Sequence, residues 1–182
     1  MYSAATRADL QRLPPTPVSP LLPRHHYCPF KGRSVVNSGG DLVLLIYSRN
    51  TPDGMTFTAS VRHQGARVMM KPIEKDRWET ALLHGVARAT ELGLIRLPDQ
   101  AQARRIRLIN CHDRKLVVAN LSDGTRFTVL GAVRDSWPGN DNRKIELWRP
   151  VADGLDSDNF VEDPGSAMLM ALHWLIEQGL WT

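Results

Sequence analysis

The amino-acid sequence predicts an α+β fold, with an antiparallel or mixed sheet and at least two helices packed on it. Short apolar segments separated by turn residues predict the strands, and two longer segments with helical spacing predict the helices. Hydrophobic residues make up 42% of the 182 residues and charged residues 23%, so the chain has enough apolar side chains to bury a core. This composition excludes a wholly disordered chain.

Three strands joined by short turns are predicted between residues 42 and 71. Residues 42–47 form a continuous apolar run of strand length, as expected for a central strand. Residues 51–54 have the turn sequence Thr-Pro-Asp-Gly, in which proline presets φ and glycine tolerates a positive φ. Apolar residues alternate over residues 55–62, and Gln64-Gly65 leads into a third strand at residues 66–71. We therefore predict an antiparallel meander.

The spacing predicts a helix over residues 76–92. Asp76 is a suitable N-cap, and Glu79, three residues later, completes a capping box. Gly93 is a suitable residue to end the helix. Apolar side chains recur at helical spacing between these ends, at Trp78, Leu82, Val86 and Ala89.

More strands are predicted after this helix. Residues 106–109 form one strand, within the segment 105–110. Residues 116–121 and 125–133 are predicted to form a hairpin around the turn sequence Ser-Asp-Gly. Residues 145–151 fit either a short helix or a strand.

The last helix is predicted to begin at Asp163-Pro164, with Asp163 as N-cap and Pro164 as the first helical residue. Every residue from 167 to 176 except His173 is apolar, which is more than one core-facing stripe requires. The surplus must be buried by a second layer of the same chain or by a partner subunit. We predict a homodimer with this helix in the interface, and burial within one chain is the alternative.

Residues 1–40 are predicted to form a proline-rich basic arm, ahead of a single α+β domain at residues 41–182. Residues 1–30 hold six of the twelve prolines, which lack an amide donor and favour extended backbone. The arm carries a net charge of +4, residues 41–149 carry +6 and residues 150–182 carry −6. This asymmetry suggests a polyanionic partner or a self-complementary assembly, and an average solvated surface is the alternative.

The expected location follows from what the sequence lacks. Two cysteines are too few for a disulfide scaffold, and the first residues have no continuous apolar segment typical of a secretory signal. No apolar stretch reaches the length of about 18 residues that a membrane-spanning helix needs. We expect a cytoplasmic protein without a membrane partner.

A group of basic residues is predicted to bind nucleic-acid phosphates together with the basic arm. Its members are Arg104, Arg105, Arg107, Arg114 and Lys115. No motif of interleaved aromatic residues for single-strand binding accompanies them. A solvated basic surface without a function is the alternative.

Two carboxylates are candidates for a catalytic metal site. Glu79 lies in the first turn of the first predicted helix, and Asp113 follows the strand at residues 105–110. If that strand is central, its C-terminal end can approach the start of the helix. Two carboxylates there can bind Mg²⁺, and two such ions can clamp the attacking and leaving oxygens in phosphodiester hydrolysis. A capping role for Glu79 and a turn role for Asp113 are the alternatives.

A zinc site is a further hypothesis. Four of five residues, two histidines and two cysteines, could form a tetrahedral site; the five are His25, His26, Cys28, Cys111 and His112. Neither half has the Cys-x-x-Cys spacing typical of such sites. We therefore favour a buried free Cys111 and a surface histidine pair over zinc.

The order of elements resembles the ribonuclease H-like superfamily. In that family three antiparallel strands precede a helix with a catalytic Glu and a strand that leads to a catalytic Asp. The resemblance covers about residues 42–121, and it implies that Glu79 and Asp113 are catalytic metal ligands. The similar segments are residues 77–82 (RWETAL) for the helix start, 106–113 (IRLINCHD) for the Asp strand and 144–148 (KIELW) for the stretch before the last strand.

This sequence departs from the ribonuclease H-like pattern at the first strand. The family carries its first catalytic Asp on the first strand, whereas residues 46–50 contain no acid, so the carboxylate set is incomplete. A rival resemblance, carried by residues 89–95 and 111–114, is to the ParB/sulfiredoxin superfamily. We expect a nucleic-acid-associated protein, with Mg²⁺-dependent phosphodiester hydrolysis as the enzymatic hypothesis. The alternative is a non-catalytic module that binds proteins or nucleic acid.

Overall fold

Ten β-strands and two α-helices form the part of the chain that the structure describes. The computed structural model describes residues 25–28, 32–36, 42–52, 54–69, 73–74, 78–97, 103–139 and 143–181. The first sheet contains β1 (His25–Cys28), β2 (Gly32–Val36), β3 (Leu42–Thr51), β4 (Gly54–His63), β5 (Ala66–Met69) and β6 (Ile73–Glu74). The second sheet contains β7 (Ala103–Asn110), β8 (Arg114–Leu121), β9 (Arg126–Pro138) and β10 (Lys144–Val151). The helices are α1 (Trp78–Glu91) and α2 (Pro164–Glu177).

The fold is α+β, as predicted. Every strand pairing among the described residues is antiparallel, which decides between the antiparallel and mixed alternatives. Each helix has 14 residues, and neither has the length and apolar character needed to cross a membrane.

The first sheet has the strand order β1-β2-β3-β4-β5, with β6 beside β4. The predicted meander is confirmed as β3, β4 and β5, and Thr51 pairs with Gly54 at the predicted turn. The short strands β1 and β2 lie within the segment that the sequence assigns to the arm, and β2 pairs with β3. The division of the chain at residue 40 stays a prediction.

Helix α1 packs against β3 and β4 of the first sheet through a close contact at Gly85. A Cβ atom at Gly85 would lie 2.8 Å from Leu44 Cδ1 and 3.1 Å from Ala59 Cβ. Glycine therefore lets the helix approach the sheet more closely than alanine would. The predicted helix is confirmed, while its proposed cap, Asp76, lies outside the described residues.

The second sheet has the strand order β10-β9-β8-β7. The predicted hairpin is confirmed as β8 and β9, and β10 shows that residues 145–151 form a strand rather than a helix. Val117 pairs with Leu130 while Val118 pairs with Thr128, so Val129 is an extra residue in β9, as in a β-bulge. Beyond Val129 the alternation of β9 side chains is shifted by one residue.

Both helices pack on the same side of the second sheet. Helix α1 contacts β7 and β8, helix α2 contacts β9 and β10, and the two helices contact each other. The helix side of the sheet carries the fully buried Val117, Ala119, Leu130 and Ala132. We call the other side the open face. It carries Arg114, Leu116, Val118 and Asn120 of β8 with their paired residues, and it continues along β9 and β10 to Trp137 and Ile145.

Helix α2 begins as predicted. The Asp163 carboxylate accepts a hydrogen bond of 2.8 Å from the Ser166 amide, and Pro164 is the first helical residue. The chain itself buries the apolar residues Ala167, Met168, Leu169, Ala171, Leu172, Leu175 and Ile176, along with His173. The surplus apolar surface that suggested a homodimer is thus accounted for by β9, β10 and α1 of the same chain.

Candidate nucleic-acid interface

The start of α1 lies close to the end of β7, as the carboxylate hypothesis requires. Asn110 Nδ2 donates a hydrogen bond of 3.4 Å to Thr80 Oγ1, which joins the last residue of β7 to the first turn of α1. This contact forms although β7 is an edge strand of the second sheet, and not the central strand that the sequence suggested. Glu79, the residue before Thr80, is only 5% exposed.

Asp113 lies in the turn between β7 and β8, where a neighbouring arginine binds its carboxylate. Arg114 Nε and Nη2 donate hydrogen bonds of 3.3 Å and 3.1 Å to Asp113 Oδ2, and His112 Nδ1 lies 3.8 Å from Oδ1. The hydrogen bonds from Arg114 hold the pKa of Asp113 below its usual value. The carboxylate is therefore ionised at neutral pH, with one of its oxygens already bound by a cation.

The magnesium site and the zinc site stay predictions. Within the described residues, no group of three or more His, Cys, Asp or Glu side chains is placed to hold a metal ion. The side chains of His25, His26 and Cys28 lie outside the description.

Cys111 is a free, exposed thiol in the β7–β8 turn, so the expectation that it is buried was wrong. A tight turn projects its residues away from the sheet, which explains the exposure.

The structure separates the predicted basic group between two sides of the second sheet. Arg105, Arg107 and Arg114 lie on the open face and are exposed. Lys115 follows Arg114 in an extended strand, so it points to the helix side, where it is 3% exposed. Arg104 lies in β7, and its side chain is outside the description.

Lys115 is part of a polar network at the start of α1. Its Nζ atom donates a hydrogen bond of 2.6 Å to Asn110 Oδ1, and the amide nitrogen of Asn110 donates to Thr80. The network joins α1 to both strands of the β7–β8 hairpin. A buried lysine needs such acceptors, because its charge is costly to remove from water. The burial leaves Lys115 out of reach of a ligand on the open face.

Two arginines of the open face were not identified from the sequence. The paired rows across the face are Arg105, Asn120 and Arg126; then Arg107, Val118 and Thr128; then Ile109, Leu116, Gly131 and Val151; then Arg114, Val133 and Arg149. Arg126 and Arg149 thus join the predicted arginines on one surface. Only the register of β9 and β10 reveals this, because their sequence neighbours are not basic.

Three of these arginines form what we call the arginine corner: Arg105, Arg107 and Arg126. Neighbouring strands are separated by about 5 Å, so the Arg105 and Arg126 backbones lie roughly 10 Å apart across β8. Arg107 lies two residues along β7 from Arg105, roughly 7 Å away. No described residue forms an ion pair or a hydrogen bond with any of these three side chains.

The remaining two arginines of the face are already bound to carboxylates. Arg114 contacts Asp113 at 3.1 Å, and Arg149 Nε contacts Asp135 Oδ2 at 3.2 Å. Surface pairs of this kind are weak and exchange readily with other anions. The arginine corner is therefore the part of the face where positive charge is least compensated.

The open face also carries an aromatic residue at its far end. Trp137, near the end of β9, is 38% exposed and forms an edge-to-face contact with Phe160, with ring centroids 4.7 Å apart. Simple alternation from Arg126 would have placed Trp137 on the helix side. The extra residue Val129 brings it to the open face instead.

No protein-family model matches this chain, and no curated protein or solved structure matches it either. The candidate interface therefore rests on the geometry and charge of the chain itself.

Replacing Lys115 with Met tests the assignment of this side chain to the fold rather than to the interface. Met keeps an unbranched apolar stem but removes the donor to Asn110 Oδ1. We expect the free energy of unfolding to fall by about 1–3 kcal/mol, because the charge-assisted hydrogen bond between Lys115 and Asn110 is lost. Urea denaturation followed by circular dichroism measures the change.

Arg114→Met is the matched control, since it removes the neighbouring cation from the exposed side of the same strand. It should cost less than about 1 kcal/mol. Equal losses in the two variants would contradict the placement of Lys115.

Proposed function

We propose that this chain binds nucleic acid, and that the arginine corner supplies the principal phosphate contacts. The observation that carries the proposal is the grouping of Arg105, Arg107 and Arg126 on the sheet face opposite the two helices, without a carboxylate partner among the described residues. Guanidinium groups bind phosphate oxygens through paired, charge-assisted hydrogen bonds, which favours arginine in such contacts.

The electrostatic cost of this grouping supports the proposal. Like charges about 10 Å apart repel one another, and physiological salt screens them only partly, since the Debye length is about 8 Å. A folded protein normally intersperses charges of both signs on its surface. A polyanion relieves the repulsion, and the release of its counterions favours binding further.

Positive and negative charge lie at opposite edges of the second sheet. Two of the three arginines of the corner lie in β7, at one edge of the sheet. Residues 150–182, which continue from β10 at the opposite edge, carry a net charge of −6. A polyanion is therefore drawn to the β7 edge and repelled from the segment that follows β10.

Phosphodiester hydrolysis by Glu79 and Asp113 is a second candidate function. The hydrogen bond between Asn110 and Thr80 favours it, because it brings the start of α1 to the end of β7. The burial of Glu79 and the Arg114 contact of Asp113 favour binding without cleavage. The ribonuclease H-like resemblance and a role for Mg²⁺ therefore stay hypotheses beside the main proposal.

A homodimer is not required by the proposed function. The open face and the arginine corner are formed by one chain, and the apolar residues of α2 are buried within it. Self-association through α2 stays a prediction, which light scattering at high protein concentration tests.

Glutamine substitutions in the arginine corner test the phosphate contacts. We expect Arg105→Gln and Arg107→Gln each to weaken binding and to reduce the slope of log K against log salt concentration by about 1, because each removes one phosphate contact. Fluorescence anisotropy with a labelled oligonucleotide at several salt concentrations measures both quantities.

The control is Arg96→Gln, which removes the same charge from an exposed position after α1. Its slope should equal that of the unmodified protein. An equal loss in Arg96→Gln would assign binding to net charge alone, and no salt dependence in any variant would contradict the proposal.

The substitutions Asp113→Asn and Glu79→Gln test the hydrolase hypothesis. If the two carboxylates hold Mg²⁺, Asp113→Asn abolishes cleavage of a labelled oligonucleotide in Mg²⁺ or Mn²⁺ while binding at low salt persists, and Glu79→Gln does the same. Asp123→Asn changes another exposed turn aspartate, at the β8–β9 turn, and should leave cleavage unchanged. Cleavage that survives both changes, or is absent from the unmodified protein, dismisses the hydrolase.

A further inference from the structure

A small apolar cluster is exposed at the end of the open face that is far from the arginine corner. Trp137, Ile145 and Phe160 are 38%, 50% and 37% exposed. Trp137 pairs with Ile145 across β9 and β10, and Phe160 meets the indole at an interplanar angle of 89°. Single exposed apolar residues are ordinary, but a contiguous group containing two aromatic rings indicates a contact surface.

The contact with Phe160 limits the motion of the indole. Edge-to-face packing of two rings is favourable and fixes their relative orientation. A side chain held in place before binding loses less conformational entropy when a ligand stacks on it. Trp137 is therefore better prepared to form a stacking contact than an isolated surface tryptophan would be.

The row of the open face beside the arginine corner lacks charged residues. This row contains Ile109, Leu116 and Gly131. Between it and the aromatic end lie the ion-paired Arg114, Arg149 and Asp135. A Cβ atom at Gly131 would collide with the Lys115 carbonyl oxygen and would lie 2.5 Å from Leu116 Cδ2, so glycine at this position allows the close approach of β8 and β9. The face thus has the cations of the arginine corner at one end, an apolar row beside them, ion-paired charges beyond that row and an aromatic ring at the other end.

We propose that the open face binds single-stranded nucleic acid, with phosphates at the arginine corner and a base stacked on Trp137. This inference rests on the proposed function. A duplex directs its charged backbone outward and hides the faces of its bases. Its bases therefore cannot stack on the indole or contact the apolar row. A single strand exposes base faces that stack on aromatic side chains, while its phosphates bind cations.

The length of β9 sets a requirement on the ligand. Arg126 and Trp137 are eleven positions apart in β9, which corresponds to roughly 35 Å along an extended strand. One nucleotide cannot contact both ends. The ligand must be an oligonucleotide of several residues, within the range of about 4–16 nucleotides that single-strand-binding domains cover.

The experiment compares three labelled probes of about 12 nucleotides or base pairs: single-stranded DNA, single-stranded RNA and duplex DNA. We expect Trp137→Ala to weaken single-strand binding roughly 5- to 150-fold, the usual effect of removing one stacking contact, and to change duplex binding little. The two single-stranded probes show whether the face prefers DNA or RNA.

Trp137→Phe is the matched control, because phenylalanine keeps an aromatic ring at the same position. We expect it to bind single strands almost as well as the unmodified protein. If Trp137→Ala does not fold, the difference in tryptophan emission between the unmodified protein and Trp137→Phe isolates the signal of Trp137. That signal should be quenched when the single strand is added.

The outcomes separate this inference from the proposed function. Binding of duplex and single strand with equal affinity, unaffected by Trp137→Ala, overturns the inference and leaves phosphate binding at the arginine corner intact. An unquenched Trp137 signal in the presence of bound single strand overturns it as well. Failure of the unmodified protein to bind any probe at low salt overturns the proposed function itself.

Discussion

The packing of both helices on the same side of the second sheet is the constraint on which the candidate interface depends. Helices α1 and α2 lie side by side on that side, and they cover the fully buried Val117, Ala119, Leu130 and Ala132. Because side chains alternate along a strand, burying these residues directs their neighbours to the opposite face. Arginines at the alternate positions therefore come together on the open face without any motif in the linear sequence.

Two adjacent residues of β8 show how this alternation places neighbouring side chains on opposite faces. Arg114 is exposed on the open face, whereas Lys115 is buried and hydrogen-bonded to Asn110 on the helix side. The same network reaches Thr80, so it also fixes where α1 begins relative to the β7–β8 hairpin. The two cations are neighbours in sequence, yet one is exposed and paired with Asp113 while the other stabilises the packing of a helix on a sheet.

Local signals were sufficient to predict most of the fold. Turn sequences and hydrophobic periodicity located the β3–β4–β5 meander, the hairpin of β8 and β9, and both helices, because each signal acts within a few residues. The contents of the open face were harder to predict, since they depend on register between strands. Arg126 and Trp137 are an odd number of residues apart, and only the extra residue Val129 places both on one face. The exposure of Cys111 and the burial of α2 within one chain likewise depend on tertiary contacts, which local sequence does not encode.

An NMR titration of isotope-labelled protein with a single-stranded oligonucleotide tests the central claim most directly, because it reports on each side of the second sheet separately. The account predicts that the guanidinium signals of Arg105, Arg107 and Arg126 shift together with the indole signal of Trp137. The signals of Arg96, which lies after α1, and of the buried Trp148 should not change. Shifts confined to the helices or to the first sheet, with the arginine corner unchanged, would contradict the account.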